Sequence, residues 1–237
     1  MFRQHQLENI LFLDIETVSG SPTFQELDPR MQELWAHKSL KFRKGEEDTP
    51  EKLYTEKAAI QAEFGQIVCI SCGYLKFDEK GQAQIVLKSF FGPEERTLLH
   101  EFGMMLDKYT TAKEGRLLCA HNGKEFDFPY MGRRYLIHGL PLPQALRVQG
   151  KKPWEVPFLD TMELWSFGDY KAYTSLDLLS AIFGIPSPKD DMDGSQVGKV
   201  FWQEKDYERI KVYCEKDVRT TAHLLMKMSG HPGELAM

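Results

Sequence analysis

The sequence predicts an α/β fold in which a mixed central sheet is flanked by helices. Two observations carry this. Strand-length apolar runs, two of them joined by a hairpin, fill the first part of the chain, and short strands then alternate with helical patterns. That order fits an antiparallel meander on one side of a sheet and parallel strands on the other. With 237 residues the chain can form one domain with a full core. The expected unit is therefore 1–237, carrying a helical and loop insertion at about 21–63.

Taken in order, Asn9 to Ile15 is a short apolar run that turns acidic and reads as a strand, closed by the turn-rich stretch from Ser19 to Pro22. The charged insertion follows, with helix-like stretches at Phe24–His37 and Pro50–Ala62 around a polar loop, Lys41 to Thr49. Gln66–Leu75 and Ala83–Phe91 form a hairpin across Asp78-Glu79-Lys80-Gly81. Pro93 then opens an amphipathic helix with Leu98, Leu99, Phe102, Met105 and Leu106 at helical spacing. Arg116–Ala120 and Pro157–Asp160 read as short strands. Phe128–His138, Ser175–Phe183 and Asp206–Met228 read as helices, and Pro186–Gly194 is a polar, turn-forming segment.

Composition excludes several classes. Hydrophobic residues make up 42% and charged residues 27% of the chain, ordinary values for a globular protein. No apolar run is long enough to span a bilayer, and the polar stretch Met1 to Asn9 lacks a signal-peptide core, so a cytoplasmic protein that meets no membrane is expected. The spacing Cys69-x-x-Cys72 suggests a zinc or redox motif. It lies in an apolar strand, however, where residues three apart face opposite ways, and no second pair completes a zinc site; buried thiols are expected. No histidine cluster has zinc-ligand spacing. The net charge of −5 is unlike that of a protein coating duplex DNA.

Several carboxylates sit where a core would exclude them. Ile10, Phe12, Asp14 and Glu16 share one face of the first strand. Two acids there repel, and a divalent cation between them removes the conflict; an exposed strand end is the competing explanation. A second D-x-E, Asp206 and Glu208, begins a helix and is expected only to stabilise its N-terminus. In the last helix Ile210, Tyr213, Asp217, Thr221, Leu224 and Met228 make one largely apolar face with a carboxylate at its centre, which is costly unless paired or metal-bound. Asp127 lies near a helix N-terminus, where a plain cap accounts for it, but also near the sheet end where such folds build sites.

Together these segments resemble the DEDD superfamily of exonucleases, which has a ribonuclease H-like fold. Phe12-Leu13-Asp14-Ile15-Glu16-Thr17 matches the first motif, Asn122-x-x-x-Phe126-Asp127 the second and Tyr213-x-x-x-Asp217 the third. The histidine branch places its histidine five residues before the last aspartate, at Val212 here, so the chain resembles the tyrosine branch. Within that branch it is similar to the stand-alone proteins related to the proofreading exonuclease domain of family B DNA polymerases. Phe64-Gly65-Gln66-Ile67-Val68-Cys69-Ile70-Ser71 and Asp193-Gly194-Ser195-Gln196-Val197 look typical of that group.

The resemblance implies a 3′–5′ exonuclease that uses two Mg²⁺ or Mn²⁺ ions to release nucleoside 5′-monophosphates from single-stranded or frayed DNA ends. It implies that Asp14, Glu16, Asp127 and Asp217 hold the metals, with Asp14 bridging them, and that Tyr213 orients the attacking water. Thr17, Asn122 and Phe126 match positions that touch substrate. Phe126 is equally explained as a core aromatic under the helix. Arg133, Arg134, Lys151, Lys152 and Lys189 could meet phosphates or simply be solvated. The alternatives are an RNA exonuclease, which would recognise the 2′-hydroxyl, and a nucleic-acid-binding domain of the same fold without catalysis.

Overall fold

A computed structural model describes residues 1–169, 173–186, 192–231 and 233–236. Lys189 and most of Pro186–Gly194 lie outside them. The described residues contain six strands: β1 (Ile10–Ser19), β2 (Gly65–Phe77), β3 (Ala83–Phe91), β4 (Leu117–Ala120), β5 (Leu159–Asp160) and β6 (Leu235–Ala236). They form one mixed sheet in the order β5-β4-β1-β2-β3-β6. β1, β2 and β3 are the antiparallel meander, and β4, β5 and β6 join in parallel.

The helices among the described residues are α1 (Gln4–Leu7), α2 (Pro29–Ser39), α3 (Pro50–Lys57), α4 (Glu95–Ala112), α5 (Asp127–Ile137), α6 (Thr161–Ser166), α7 (Leu176–Ile182), α8 (Val197–Lys199) and α9 (Tyr207–Met228). A π turn, Val200–Glu204, continues α8. None is long and apolar enough to cross a membrane.

β1 carries apolar residues on both of its faces because both are covered. Leu11, Leu13 and Ile15 pack with Leu99, Phe102, Tyr130 and Met131 of α4 and α5. Ile10 and Phe12 pack with Val218, Ala222 and Leu225 of α9. Asp14 and Glu16, in step with Ile10 and Phe12, therefore face α9. A bulge follows. Glu16 pairs with Cys69 and Thr17 with Ile67, which leaves Val68 of β2 opposite no residue. Val68 and Cys69 consequently both join the α9-side cluster, while Cys72 packs on the other face. The two thiols diverge as expected, and all four cysteines are free and buried.

The region from 21 to 63 departs from its expected boundaries. Pro29 and the Asp28 carboxylate, which accepts from Met31 N at 3.0 Å, start a helix in the middle of Phe24–His37. What precedes is a separate 3₁₀ turn, Phe24–Glu26. Pro50–Ala62 likewise divides into α3 and a 3₁₀ turn, Ala58–Ile60. Trp35 centres a small aromatic cluster here, 5.3 Å from Tyr54 and 4.9 Å from Phe64.

A buried ion pair holds α5 against α4 and β2. Arg134 donates to both Glu95 oxygens, at 2.8 and 2.5 Å, and to Ala62 O at 2.7 Å. Glu95 also accepts from Ile67 N at 2.7 Å. Arg134 is thus a structural cation rather than a phosphate contact, and the N-terminus of α5 is fixed relative to β1.

Gly65 is where this framework is tightest. A Cβ there would lie 2.3 Å from Tyr130 Oη, 2.8 Å from Ala59 O and 2.9 Å from Val18 O, and the two carbonyls belong to backbone that cannot swing aside. Gly65→Ala should cost about 1–3 kcal/mol of stability, measured by denaturant unfolding; an unchanged midpoint would show that the contact relaxes freely.

Candidate active site

Three elements meet in the middle of β1, which continues past the acids to Ser19, whereas the sequence suggested an end near Ile15. Asp14 and Glu16 stand on its α9 face, and Glu16 is only 8% exposed. Cys214 of α9 lies against them and donates to Asp14 Oδ2 at 3.3 Å and to Asp14 O at 3.4 Å. The donor atoms of Asp14, Glu16 and Cys214 all fall within 4.8 Å of one another. From α5, buried Asp127 reaches back to β1, where its Oδ1 accepts from Ile15 N at 3.1 Å. Its carboxylate is therefore committed to the strand between the two acidic positions, not only to its own helix. Asp206, by contrast, caps α9 by accepting from Arg209 N at 3.1 Å, as its position suggests.

Proximity shows in the ionisation of these groups. Burial, then the charges of Asp217, Asp127 and Glu16, push Asp14 well above the usual carboxylate range. Burial and then Asp217 do the same to Glu16. Asp127 is raised to about 7, chiefly by burial and further by Asp160 and Asp217, although the Ile15 N–H opposes the shift. Tyr213 is also pushed up, by burial first and then by Asp217, Glu16 and Asp14. The fold thus brings all four sequence-selected carboxylates and the tyrosine into one electrostatic cluster.

The three expected substrate positions border this cluster. Thr17 follows the acidic pair and hydrogen-bonds the Tyr130 hydroxyl, whose own proton goes to Ala59 O at 2.8 Å. Asn122 has φ of 60°, a left-handed conformation that asparagine tolerates. Its Oδ1 is buried with no hydrogen-bond partner among the described residues. Phe126 is half-buried, 5.3 Å from the Tyr130 ring, so part of its surface serves the core.

Three residues near the site escape sequence reasoning. Asp160, at the end of β5, is buried and accepts from Asn122 N at 2.9 Å, Lys124 N at 3.0 Å and Met162 N at 2.9 Å. It thereby shapes the loop before Asp127 and starts α6. His121 braces the same loop, with Nε2 donating to Thr174 O at 3.0 Å and Nδ1 bonded to Thr161 Oγ1 at 2.8 Å. The only sequence signal for Asp160 was an acid at a strand end before a helix. Cys214 gave none, because a cysteine on an apolar helix face reads as core.

The donor set fits a hard divalent cation. Asp14 and Glu16, with Asp127 and Asp217 beside them, offer carboxylate oxygens whose mutual repulsion such an ion would offset. The Cys214 thiol is pushed up by burial and by Cys69, so it stays protonated and donates to Asp14.

An α/β sheet with this strand order fits a ribonuclease H-like fold, and comparison with known proteins agrees on the fold. The chain belongs to a family described as "Predicted 3'-5' exonuclease related to the exonuclease domain of PolB", whose model matches residues 58–237. Among solved structures it resembles the family B DNA polymerase of the hyperthermophilic archaeon Pyrobaculum calidifontis, with a TM-score of 0.52 and 16% identity. The match covers 92% of this chain and 24% of the polymerase, so the likeness concerns a fold shared with about a quarter of that protein. No curated protein matches the chain.

The raised carboxylates set a pH dependence with a definite sign. A carboxyl that holds its proton more tightly when folded adds stability below its unfolded value, near 4, and that stability is lost as pH rises through the folded value. For Asp127 the window runs from about 4 to about 7. Asp14→Asn removes one repelling charge, so in chelator its melting temperature should exceed wild type at pH 8, and the gain should shrink toward pH 4. A lower melting temperature than wild type at pH 8 would mark Asp14 as a structural anchor.

Proposed function

We propose that this protein is a metal-dependent 3′–5′ exonuclease acting on single-stranded or frayed DNA ends, and that residues 1–237 work as one unit. The observation that carries the proposal is the convergence of Asp14, Glu16 and Asp127, with Asp217 acting on all three, beside Tyr213. Asp14, Glu16, Asp127 and Asp217 hold Mg²⁺ or Mn²⁺. Two such ions, when bound, supply a water nucleophile at neutral pH and stabilise charge on the attacking and leaving oxygens.

The chain's own groups do the rest. Tyr213 keeps its proton, because burial and the neighbouring carboxylates oppose its ionisation. It serves by orienting the attacking water with its hydroxyl, not as a base. Asn122 Oδ1, a buried acceptor lacking a partner among the described residues, suits a hydrogen bond from the terminal nucleotide. The open part of the Phe126 ring offers a face for an unpaired base. Asp160 fixes the loop that carries Asn122 and leads to Phe126 through its bonds from Asn122 N and Lys124 N.

The test uses end-labelled single-stranded DNA, mismatched duplex, blunt duplex and RNA, with and without metal. Nucleoside monophosphates should leave from the 3′ end, chelator should stop the reaction, and frayed ends should be cut faster than paired ones because unpairing costs less there. Full activity in chelator, or release from the 5′ end, overturns the proposal. Faster cutting of RNA than DNA favours the RNA reading.

Tyr213→Phe separates orientation from metal binding. It keeps the ring and deletes the hydroxyl, and should slow turnover by roughly ten- to a thousand-fold with metal affinity nearly unchanged. Asp217→Asn should weaken both. Paired metal titrations and single-turnover rates decide whether the tyrosine role stands; equal loss of metal affinity in the two variants removes it.

A further inference from the structure

A basic feature lies away from the carboxylates. A cavity of about 480 Å³ opens where Leu117 and Leu118 begin β4, walled further by Phe158 and by the cations Arg116, Arg147 and Lys151. By the β1–β4 register, Leu117 is level with Ile10, and Asp14 lies four residues further along β1, about 13 Å of strand rise; Leu118 and Phe158 of the cavity wall belong to the α4–α5 side of the sheet, opposite the face that carries Asp14 and Glu16. The cavity shares no residue with the acidic cluster. The Arg116 guanidinium is held at its wall by stacking 4.0 Å from the Tyr109 ring centre and donating to Tyr109 O at 2.6 Å.

At the rim, between the lining residues Lys151 and Pro157, Trp154 is 77% exposed. Lys152 Nζ sits 5.3 Å from the centre of its ring. A tryptophan left this open costs burial energy and serves no packing purpose here. The segment from Arg147 to Glu155 carries three cations, Arg147, Lys151 and Lys152, against one acid, Glu155, in a chain of net charge −5. An aromatic face among cations is how proteins hold single-stranded nucleic acid without reading its sequence: bases stack, and phosphates meet the charges.

We propose that this rim and cavity form a docking surface for the body of a single-stranded nucleic acid, with Trp154 as a base-stacking platform and Arg147, Lys151 and Lys152 as phosphate contacts. The inference deepens the exonuclease reading and rests on it for the position of the strand's 3′ end. Stacking and phosphate contacts serve DNA and RNA alike, so both are test arms.

Binding of fluorescein-labelled oligo-dT and oligo-rU of about twenty nucleotides is measured in chelator by anisotropy across a salt series. Trp154→Ala should weaken binding roughly five- to hundred-fold. Trp154→Phe should retain affinity within a few-fold, while the quenching of tryptophan emission seen in wild type disappears. The double variant Lys151→Ala, Lys152→Ala should lower the slope of log affinity against log salt by about 1.4, at about 0.7 per lost phosphate contact. Lys76→Ala with Lys80→Ala, the same charge removed from the β2–β3 hairpin, should leave that slope alone. Unchanged affinity in Trp154→Ala, or equal slopes in the two lysine pairs, overturns the docking surface. Wild-type protein that binds the oligonucleotides but hydrolyses none with Mg²⁺ or Mn²⁺ overturns the exonuclease reading and leaves the surface standing.

Discussion

Carboxylates of like charge repel, and this chain buries several of them together. Asp14 and Glu16 are fixed by strand alternation, Asp127 by the first turn of α5, and each is pushed toward its protonated form by burial and by its neighbours. Left to themselves these groups would separate or draw in water. The surrounding fold prevents the separation, and that restraint is the condition on which the rest of the structure depends.

The restraint is built from contacts outside the cluster. The Glu95–Arg134 pair ties α5 to α4 and, through Ile67 N and Ala62 O, to the chain entering β2. A buried pair of this kind adds little net stability, but removing one partner strands a charge, so its geometry is enforced. α9 is held by Val218, Ala222 and Leu225 packing on β1. Asp160 fixes the loop between β4 and α5 from a third direction. Strain at the centre is balanced by ordinary hydrophobic and hydrogen-bonded contacts around it.

What could be read in advance followed the range of the interactions involved. β1, the hairpin, α4 and α9 carry periodicities that follow from one side of the chain meeting a core, and their expected spans match the observed ones within a few residues. Asp14, Glu16 and Asp217 were legible because acids interrupt those periodicities. Division of the early helices was less so, since Asp28 and Pro29 form a start signal inside a stretch that is helical on either side. Asp160 and Cys214 were not legible. Asp160 acts on Asn122 and Lys124, nearly forty positions earlier, and Cys214 meets Asp14 across 200 positions. Contacts of that separation leave no local pattern. Arg134, left open between a phosphate contact and a solvated surface cation, is neither, because its partner Glu95 lies on another helix.

The bulge at Val68 has its own consequence for the placing of the acids. The phase slip between β1 and β2 is carried wholly by β2: β1 alternates without interruption past Glu16 to Val18. The strand that bears the acids is thus insulated from the register of the chain arriving from residues 21–63. Val68 takes up the extra residue, so Asp14 and Glu16 stay on the face that meets α9 although Gly65, Gln66 and Ile67 pair one step out of phase with the rest of β2. The sheet keeps two independent clocks, and the one that times the acidic pair is not reset by what precedes β2.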